Sequence, residues 1–572
     1  MKKLFLQSLV FTILFITQIS MAQDKKKIQF TGVARSIVSN SEINVKDEVE
    51  DTVTAKKNLG GYALIDLGVN IFPNKNTEIM GMFRINNRFG GFYGAGVNFD
   101  VRQLYVKGVI ANVIRYQLGD VNYKLTPYTF YCHDEDYQVK MPELFNLQRD
   151  IVNYETFYRQ NTWRQQGAIV DFALEFSKWI KEIKFNGFIN RVNVSNFNET
   201  PDRFFGGGNI GIQQSKNLFL GLNYVSLFDI LGTSAVKSNF NNNVSSINGE
   251  YKITKEKFET SVSGETGMSF YSNTYDSLSP EFNGNFINAA IHLNLKPANT
   301  KISLGYMNVS PEFRSAGAQS KRINYTASNS IYDRYTNAQI LRPVGLFDMM
   351  NDATIYNRSM SNNLMAFNPA YNNVLPFGIA TFNREGIFVK AEFNSKKEIV
   401  KANAELYSLN EIKGQGTNKL KAFLLAKTSA EINFHKMFSL KRNLKINIGY
   451  SIQNTSRASE IIFEKVNLKS STLSLGTELE VFENFDILAG YFSNHAKGNE
   501  SISDRNAYTE VTDFTEYNVN LNETLVGAGI RYRFSDKVYL SALYQKYQNK
   551  NMLNTNQSYG IDQVQIIFNM KY

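Results

Sequence analysis

The sequence is poor in cysteine, proline and tryptophan, with one, ten and two residues of these types among 572. The single cysteine, Cys132, excludes an internal disulfide, and we expect it to be a free thiol at the end of a strand. The scarcity of proline permits long strands, because proline lacks the backbone donor that a hydrogen-bonded ladder needs. After residue 22 no apolar run reaches the about 20 residues of a membrane-spanning helix, which excludes a helical membrane protein.

A dense basic tract is also missing. The formal net charge is +10, but lysines and arginines are spread along the chain, and only Lys25–Lys27 forms a cluster. This distribution excludes the basic patch of a nucleic-acid-binding protein. It favours contact with anionic lipid head groups or anionic solutes instead.

The first 22 residues have the pattern of an export signal. Lys2 and Lys3 precede an apolar stretch from Leu4 to Ile19, and Ser20 and Ala22 supply small residues at a cleavage site. We therefore expect a signal peptide at residues 1–22 and a mature chain of residues 23–572. No cysteine follows the site, so the signal is not that of a lipoprotein.

What the sequence has in abundance is strand-forming residues in alternation, including 43 phenylalanines and 31 tyrosines. The last thirteen residues are the clearest example, because successive strand side chains point to opposite faces. One face carries Val564, Ile566, Phe568, Met570 and Tyr572, and the other carries Gln563, Gln565, Asn569 and Lys571, with Ile567 as an apolar exception. An amphipathic strand that ends on an aromatic residue resembles the closing strand of Gram-negative outer-membrane β-barrels.

The same alternation recurs along the chain and predicts 22 strands, with a range of 18 to 22. Short turns such as Pro73–Asn76 and Ser215–Lys216 alternate with longer loops, as in barrels with periplasmic turns and extracellular loops. We therefore predict an all-β fold, a transmembrane antiparallel up-and-down barrel of the porin-like outer-membrane type. The pattern begins at Ile28, which leaves no room for the separate plug domain that precedes the barrel in TonB-dependent transporters. A soluble two-sheet sandwich is the alternative.

Two long segments interrupt the strands. Residues 128–166 are predicted to be an extracellular loop, whose Cys132–Asp136 run is either a solvated acidic patch or, less simply, a cation site. We expect its aromatic residues either to stack on sugars, to contact a partner protein or to lie in the interfacial aromatic belt. These residues are Tyr154, Phe157, Tyr158 and Trp163. We predict no metal site and no cofactor.

Residues 310–385 form the second long loop, interpreted either as a constriction inside the barrel or as a lid over its mouth. Its candidate constriction residues are Arg314, Arg334, Arg342 and Arg358. Pro343 is well placed to begin a short helix with Leu346 and Phe347. The candidate pore-lining residues of the wall are Lys427, Lys445, Arg531 and Arg533, which favour anionic solutes. Glutamates 405, 431, 478 and 480 on the same wall oppose that selectivity.

Catalytic motifs are weak. The chain has four histidines, none beside a recognisable nucleophile, and the Ser-x-x-Lys string at Ser234–Lys237 lies in a polar loop without supporting motifs. We therefore expect no enzyme activity. Two functions remain: a porin-like channel for small solutes, or a barrel subunit of an outer-membrane complex for secretion, assembly or lipid export. Outer-membrane lipids are the expected partners in both cases, and the oligomeric state stays open.

Overall fold

The computed structural model describes residues 27–45, 56–90, 96–133, 139–236, 238–275, 281–333, 341–506 and 510–572. The predicted signal peptide, residues 1–22, lies outside these ranges. The described chain is dominated by strands, as its aromatic and β-branched residues favour.

Twenty-two of the described strands form one antiparallel sheet, and the short strand β14 lies apart from it. The strands are β1 (Ile28–Val45), β2 (Lys57–Asn74), β3 (Thr77–Arg88), β4 (Val97–Ile110), β5 (Ile114–Tyr123), β6 (Trp163–Glu175), β7 (Glu182–Asn193), β8 (Arg203–Gln213), β9 (Leu218–Asp229), β10 (Ser238–Thr254), β11 (Phe258–Tyr275), β12 (Glu281–Leu295), β13 (Thr300–Val309), β14 (Pro376–Ile379), β15 (Arg384–Asn394), β16 (Val400–Asn410), β17 (Ala422–Asn433), β18 (Leu444–Arg457), β19 (Val466–Phe482), β20 (Phe485–Arg505), β21 (Val511–Ser535), β22 (Val538–Asn551) and β23 (Tyr559–Lys571).

The sheet closes on itself through its first and last strands. β1 pairs with β23 from Val33 opposite Lys571 to Val45 opposite Tyr559. Beyond the ladder, the N–H of Gly32 donates to the carbonyl of Tyr572 at 3.0 Å, and the N–H of Tyr572 donates back at 3.1 Å. A closed sheet has no edge, and this confirms the predicted barrel and excludes the two-sheet sandwich.

The two faces of the wall differ as the alternation predicts. On β23, Val564 and Ile566 are 51% and 47% exposed on the outside, whereas Gln563 and Gln565 are buried on the inside. Apolar side chains facing outward form the surface that lipid requires, and the ladders between neighbouring strands pair the peptide groups behind them. The protein is therefore a closed β-barrel with the outer surface of an outer-membrane protein. Ile567, the apolar exception, is fully buried and faces inward.

Connections at one end of the barrel are short, such as the turns between β2 and β3 and between β8 and β9. Those at the other end are longer, and the two longest run back into the lumen. The helices are α1 (Glu143–Glu155), α2 (Ala316–Gln319), α3 (Leu346–Asn351) and α4 (Phe434–Met437), with 3-10 turns at Lys296–Ala298, Ala353–Ile355, Lys396–Glu398, Ile462–Glu464 and Thr555–Gln557. Among the described helices, none has the length and apolar character needed to cross a bilayer.

The structure corrects the expectation for residues 128–166. This segment leaves the long-loop end of the barrel, but its described part packs against the inner wall, with Leu144 and Phe145 fully buried. The physical reason is hydrophobic packing, because the apolar side of α1 is buried against the inward faces of β20 and β21. The described parts of residues 310–383 also fold into the lumen, where Phe347 and Met349 are buried.

Closure can be tested by a cross-link between the chain ends. Val38 on β1 and Ile566 on β23 are directly opposite on the outer face, and paired residues lie about 4.5–5.5 Å apart between Cα atoms, within disulfide range. We expect the Val38→Cys/Ile566→Cys variant to form a disulfide on mild oxidation, seen by mass spectrometry of the linked peptides. Cys132 is fully buried and does not compete. The pair Val38→Cys/Ile448→Cys is the control and should stay reduced, and an equal yield from both variants contradicts the closure.

Candidate functional site in the barrel lumen

Helix α1 lies inside the barrel on the inner wall of β19, β20 and β21. Glycines of the wall make room for it: a Cβ at Gly476 would lie 2.6 Å from the Cβ of Pro142, and one at Gly490 would lie 2.9 Å from a ring carbon of Phe145. The side of α1 that faces the wall and its neighbours is buried. The wall is therefore shaped to receive the helix, because larger side chains at these positions would displace it.

The end of α1 is bound by an ion cluster on the first strands. The carboxylate of Glu155 lies 2.8 Å from Arg35, 2.5 Å from Arg84 and 2.9 Å from Arg102. Asp66 on β2 supplies a second carboxylate, 2.7 Å from Arg84. These arginines face inward from three different strands, so one glutamate ties the helix to a wide sector of the wall.

The arginines also set the ionisation of Glu155. Burial alone would raise the pKa of this carboxyl, but the hydrogen bond from Arg84 and the charges of Arg102 and Arg35 lower the pKa to about 2 from its ordinary 4.5. Charge-assisted hydrogen bonds of this kind are stronger than neutral ones. Glu155 is therefore ionised throughout the neutral range and holds its arginines as a charged group.

A second ion cluster holds the first turn of α1. Glu143 accepts a hydrogen bond from the guanidinium of Arg531 on β21 at 2.7 Å. Arg531 also pairs with Glu478 at 2.7 Å and with Asp486 at 2.9 Å. Both ends of α1 are thus attached to the wall through charges, and its middle is attached through apolar packing.

Residues 310–383 supply the other half of the lumenal filling. Arg342 and Asp348 form a two-point ion pair at 2.7 and 2.8 Å, and neither side chain is more than 1% exposed. Arg342 also donates to the hydroxyl of Tyr559 on β23 at 3.0 Å. At the start of α3, the N–H of Leu346 donates to Glu523 on β21 at 2.9 Å. The segment is therefore fixed to the last strands of the barrel.

The two segments contact each other and form one body, which we call the lumenal plug: the described parts of residues 124–162 and 310–383. Arg322 donates to the hydroxyl of Thr156 at 2.9 Å, and Arg149 donates to the carbonyl of Met349 at 3.3 Å. An apolar cluster joins both segments to the wall, and Ile567 belongs to it. A second cluster, which includes Phe130 of the plug, fills the lumen under β7–β17.

The predicted pore-lining residues lie on the inner face of the wall, but each is paired with a carboxylate. Arg531 and Arg533 converge on Asp486, at 2.9 Å in each case. Lys445 lies 3.4 Å from Glu478, which Arg531 shares. These pairs neutralise the positive wall expected from the sequence in this sector.

Lys427 stands apart from that group, on β17. It lies 3.4 Å from Glu405 on β16, and Lys390 on β15 lies 3.6 Å from the same glutamate. Among the described residues, two lysines share this one carboxylate.

The three described candidates for the constriction, Arg314, Arg342 and Arg358, have different surroundings. Arg314 is buried, donates to the carbonyls of Pro311 and Phe313 at 3.0 and 2.8 Å, and lies over the ring of Phe382. Burial lowers the pKa of Arg314 to about 9. Arg342 is buried in its ion pair with Asp348, and Arg358 is exposed. Arg334 lies outside the described residues.

Two residues of the first long loop, Cys132 and Trp163, lie elsewhere than the sequence predicts. Cys132 is fully buried in the second apolar cluster of the plug, not at the end of a strand. Trp163 is also buried and donates to the carbonyl of Gly317 at 3.1 Å, so it lies in the lumen and not in an interfacial belt. Within the described ranges no three His, Cys, Asp or Glu side chains are grouped to hold a metal ion, and residues 134–136 lie outside those ranges.

Open space remains at the short-turn end of the lumen. A vestibule of about 610 Å³ lies between the plug and β12–β17, and Lys140 of the plug reaches into it to pair with Glu431. A smaller pocket of about 120 Å³ lies next to Lys390 and Lys427, under His133 and Gly378 of the plug. Open space at the short-turn end is therefore found beside β12–β17, whereas in the sector of β19–β21 helix α1 reaches toward that end and Glu143 contacts Arg531.

Sequence reasoning missed α1 and its anchors, Glu155 and the arginines of β1, β3 and β4. In the sequence, a charged residue on the inner face that contacts water cannot be distinguished from one that contacts a helix inside the lumen. The sequence did contain one indication of a filled lumen, which is apolar residues at inward positions. Phe188, Phe205 and Phe240 face inward and are buried, whereas the inner wall of a water-filled barrel is polar.

Comparisons with known proteins give remote structural likenesses and no sequence match. No protein-family model matches the chain, and no curated protein matches it. Similar solved structures include the outer membrane channel DcaP of Acinetobacter baumannii, at 8% identity over 96% of this chain and 99% of that chain with a TM-score of 0.31. A BenF-like porin from Pseudomonas fluorescens Pf-5 has 9% identity over 96% and 99%, with a TM-score of 0.35. The translocation pore of the P pilus usher PapC has 8% identity over 94% and 99%, with a TM-score of 0.38. Likeness at this level carries no argument about function.

Loss of the Glu155 carboxylate should loosen the plug. We expect Glu155→Gln to speed tryptic cleavage after Arg149 and to lower thermal stability, because removing one partner of a buried ion cluster costs about 3–5 kcal/mol. In acid, the thermal stability of the wild-type protein should approach that of Glu155→Gln. The pKa of Glu155 is lower in the folded state, so the stabilisation by its carboxylate is present above pH 4.5 and is lost as pH falls toward 2.

Glu175→Gln is the matched control, because Glu175 is exposed at the short-turn end. Cleavage at neutral pH that is equally slow in wild type, Glu155→Gln and Glu175→Gln would show that the cluster does not hold the helix.

Proposed function

We propose that this outer-membrane barrel is a channel for small polar solutes, with a preference for anions, that the lumenal plug holds closed at rest. The observation that carries the proposal is the vestibule of about 610 Å³ at the short-turn end, which lies on the same inner wall of β15–β17 as the smaller pocket below His133.

The wall between the two cavities is a polar ladder. Glu392, Asn403 and Ser429 lie side by side on β15, β16 and β17. One step further into the barrel, about 7 Å along the strands, the next inward row is Lys390, Glu405 and Lys427. A solute entering from the vestibule meets hydrogen-bonding groups at every level up to the pocket.

The charges along this route favour anions. Lysines 140, 296, 301 and 401 line the vestibule with glutamates 392 and 431, and lysines 390 and 427 line the pocket. Among the described residues, these six lysines outnumber the three glutamates, Glu405 beside the pocket included. Rings and rows of fixed charge of one sign are what set ion preference in pores.

The route ends at the plug. Leu425 and Tyr407 face the pocket and belong to the second apolar cluster, which seals the lumen toward the long-loop end. Passage therefore requires the plug to shift, and the ion clusters at the two ends of α1 are the contacts that resist a shift.

The same packing supports a second candidate function. A lumen that is filled by two apolar clusters and fixed to the wall by buried ion pairs also suits a barrel that never conducts and serves as a subunit of an outer-membrane assembly for secretion, assembly or lipid export.

Planar-bilayer recordings on the purified full chain distinguish the two. We expect brief, rare openings for the wild-type protein and more frequent openings for Glu155→Gln. We expect Lys390→Gln/Lys427→Gln to shift the reversal potential in a salt gradient toward cations without changing how often the pore opens.

Lys178→Gln/Lys216→Gln, in two exposed turns at the short-turn end, is the charge-matched control and should keep the wild-type reversal potential. Silence from every variant, together with other outer-membrane proteins that stay bound when the protein is purified from native membranes, would reject the channel and favour the subunit.

A further inference from the structure

The outer face of β17–β20 carries a group of cations just beyond the apolar belt on the long-loop side. In the belt, Ile448, Leu475 and Tyr491 lie side by side on β18, β19 and β20. Three outward rows further toward the loops, the same three strands present Asn454, Lys469 and Lys497. The change from apolar to cationic side chains occurs within about 20 Å along the strands, at the height where a bilayer passes from acyl chains to head groups.

Lys469 and Lys497 are directly opposite each other on neighbouring strands. Both are exposed on the outer face, and His495 lies beside them, opposite Ser471. Like charges that face each other across a ladder are destabilising, with Cβ atoms about 5 Å apart. Within the described part of the chain neither lysine has a carboxylate in ion-pair range, so the repulsion is not relieved by the protein.

A groove of about 390 Å³ lies at this position on the outer wall. Leu424 and Ile452 form its apolar side, and the cationic side is formed by the two lysines and His495. Its residues include no aspartate and no glutamate; they are Leu424, Ile452, Gln453, Asn454, Lys469, Ser470, Ser471, His495 and Lys497.

We propose that this groove binds the phosphorylated head group of a lipid in the outer leaflet. Lys469 and Lys497 hold the phosphate between them, and its negative charge removes their mutual repulsion. Asn454 and Ser471 supply further polar contacts, and the acyl chains run down over Ile452 and the belt below it. The apolar side of the groove and its place at the edge of the belt favour a lipid over free phosphate, which needs no apolar surface. The long-loop end of such a barrel faces the outer leaflet, which fixes the leaflet.

Native mass spectrometry of the full chain in neutral detergent tests the proposal. The probe is an acylated diglucosamine lipid with two phosphates, and its dephosphorylated form is the chemical control. We expect the wild-type protein to retain the phosphorylated lipid, and we expect Lys469→Gln/Lys497→Gln to bind it at least about tenfold more weakly, because two charge-assisted contacts are lost. Lys178→Gln/Lys216→Gln removes the same charge at the other end and should bind as the wild type does.

The dephosphorylated lipid should bind the wild type as weakly as the phosphorylated lipid binds the lysine variant. Inorganic phosphate at a hundredfold excess should not displace the lipid; complete displacement would show an anion site without lipid specificity and would overturn the proposal. Equal retention by wild type and Lys469→Gln/Lys497→Gln would overturn it as well.

Thermal unfolding gives a second readout that does not depend on retention. Without lipid, Lys497→Gln should raise the melting temperature, because it removes the repulsion with Lys469. With the phosphorylated lipid present, the wild-type protein should gain more in melting temperature than Lys497→Gln does. A gain that is the same for both proteins would mean that the lysine pair does not meet the phosphate.

Discussion

Hydrogen bonding between the first and last strands is the constraint on which this structure depends. Lipid cannot satisfy a free peptide group, so a sheet that crosses a bilayer must have no edge. The ladder between β1 and β23, extended by the reciprocal bonds of Gly32 and Tyr572, removes the two edges that the chain would otherwise expose. Once the wall is closed, the side chains that face lipid must be apolar. The side chains on the other face line an enclosed lumen, which either contains water or is filled by other parts of the chain.

A wall of 22 strands is too wide to be filled by its own side chains, and the chain fills it with two of its connections. The plug combines apolar packing, which is not directional, with charged anchors that are. Glu155 among three arginines and Arg342 with Asp348 fix where the plug sits, while the apolar clusters around Phe145 and Phe130 pack the plug against the inner wall. The polar vestibule beside β12–β17 is what remains, and the lysines of its wall are the feature on which the proposed preference for anions rests.

The wall could be predicted from the sequence because alternation is a local property with a period of two. The faces of β23, including the odd inward position of Ile567, follow from residue order alone. The lumen could not be predicted in the same way. Whether Arg531 faces water or Glu143 depends on a helix 388 positions away in sequence, and nothing in the local pattern of β21 records that contact. The placement of residues 128–166 outside the barrel was wrong for this reason, since the buried side of α1 finds its partners only after the wall has closed.

The central claim is that the plug is a folded, anchored part of the resting barrel, and hydrogen exchange in detergent tests it most directly. Peptides that cover α1 and α3 should exchange as slowly as those from β20 and β21, because their amides are bonded and shielded inside a closed wall. Exchange of the α1 and α3 peptides within seconds, beside a wall that stays protected, would contradict the account and leave an open barrel with loose loops.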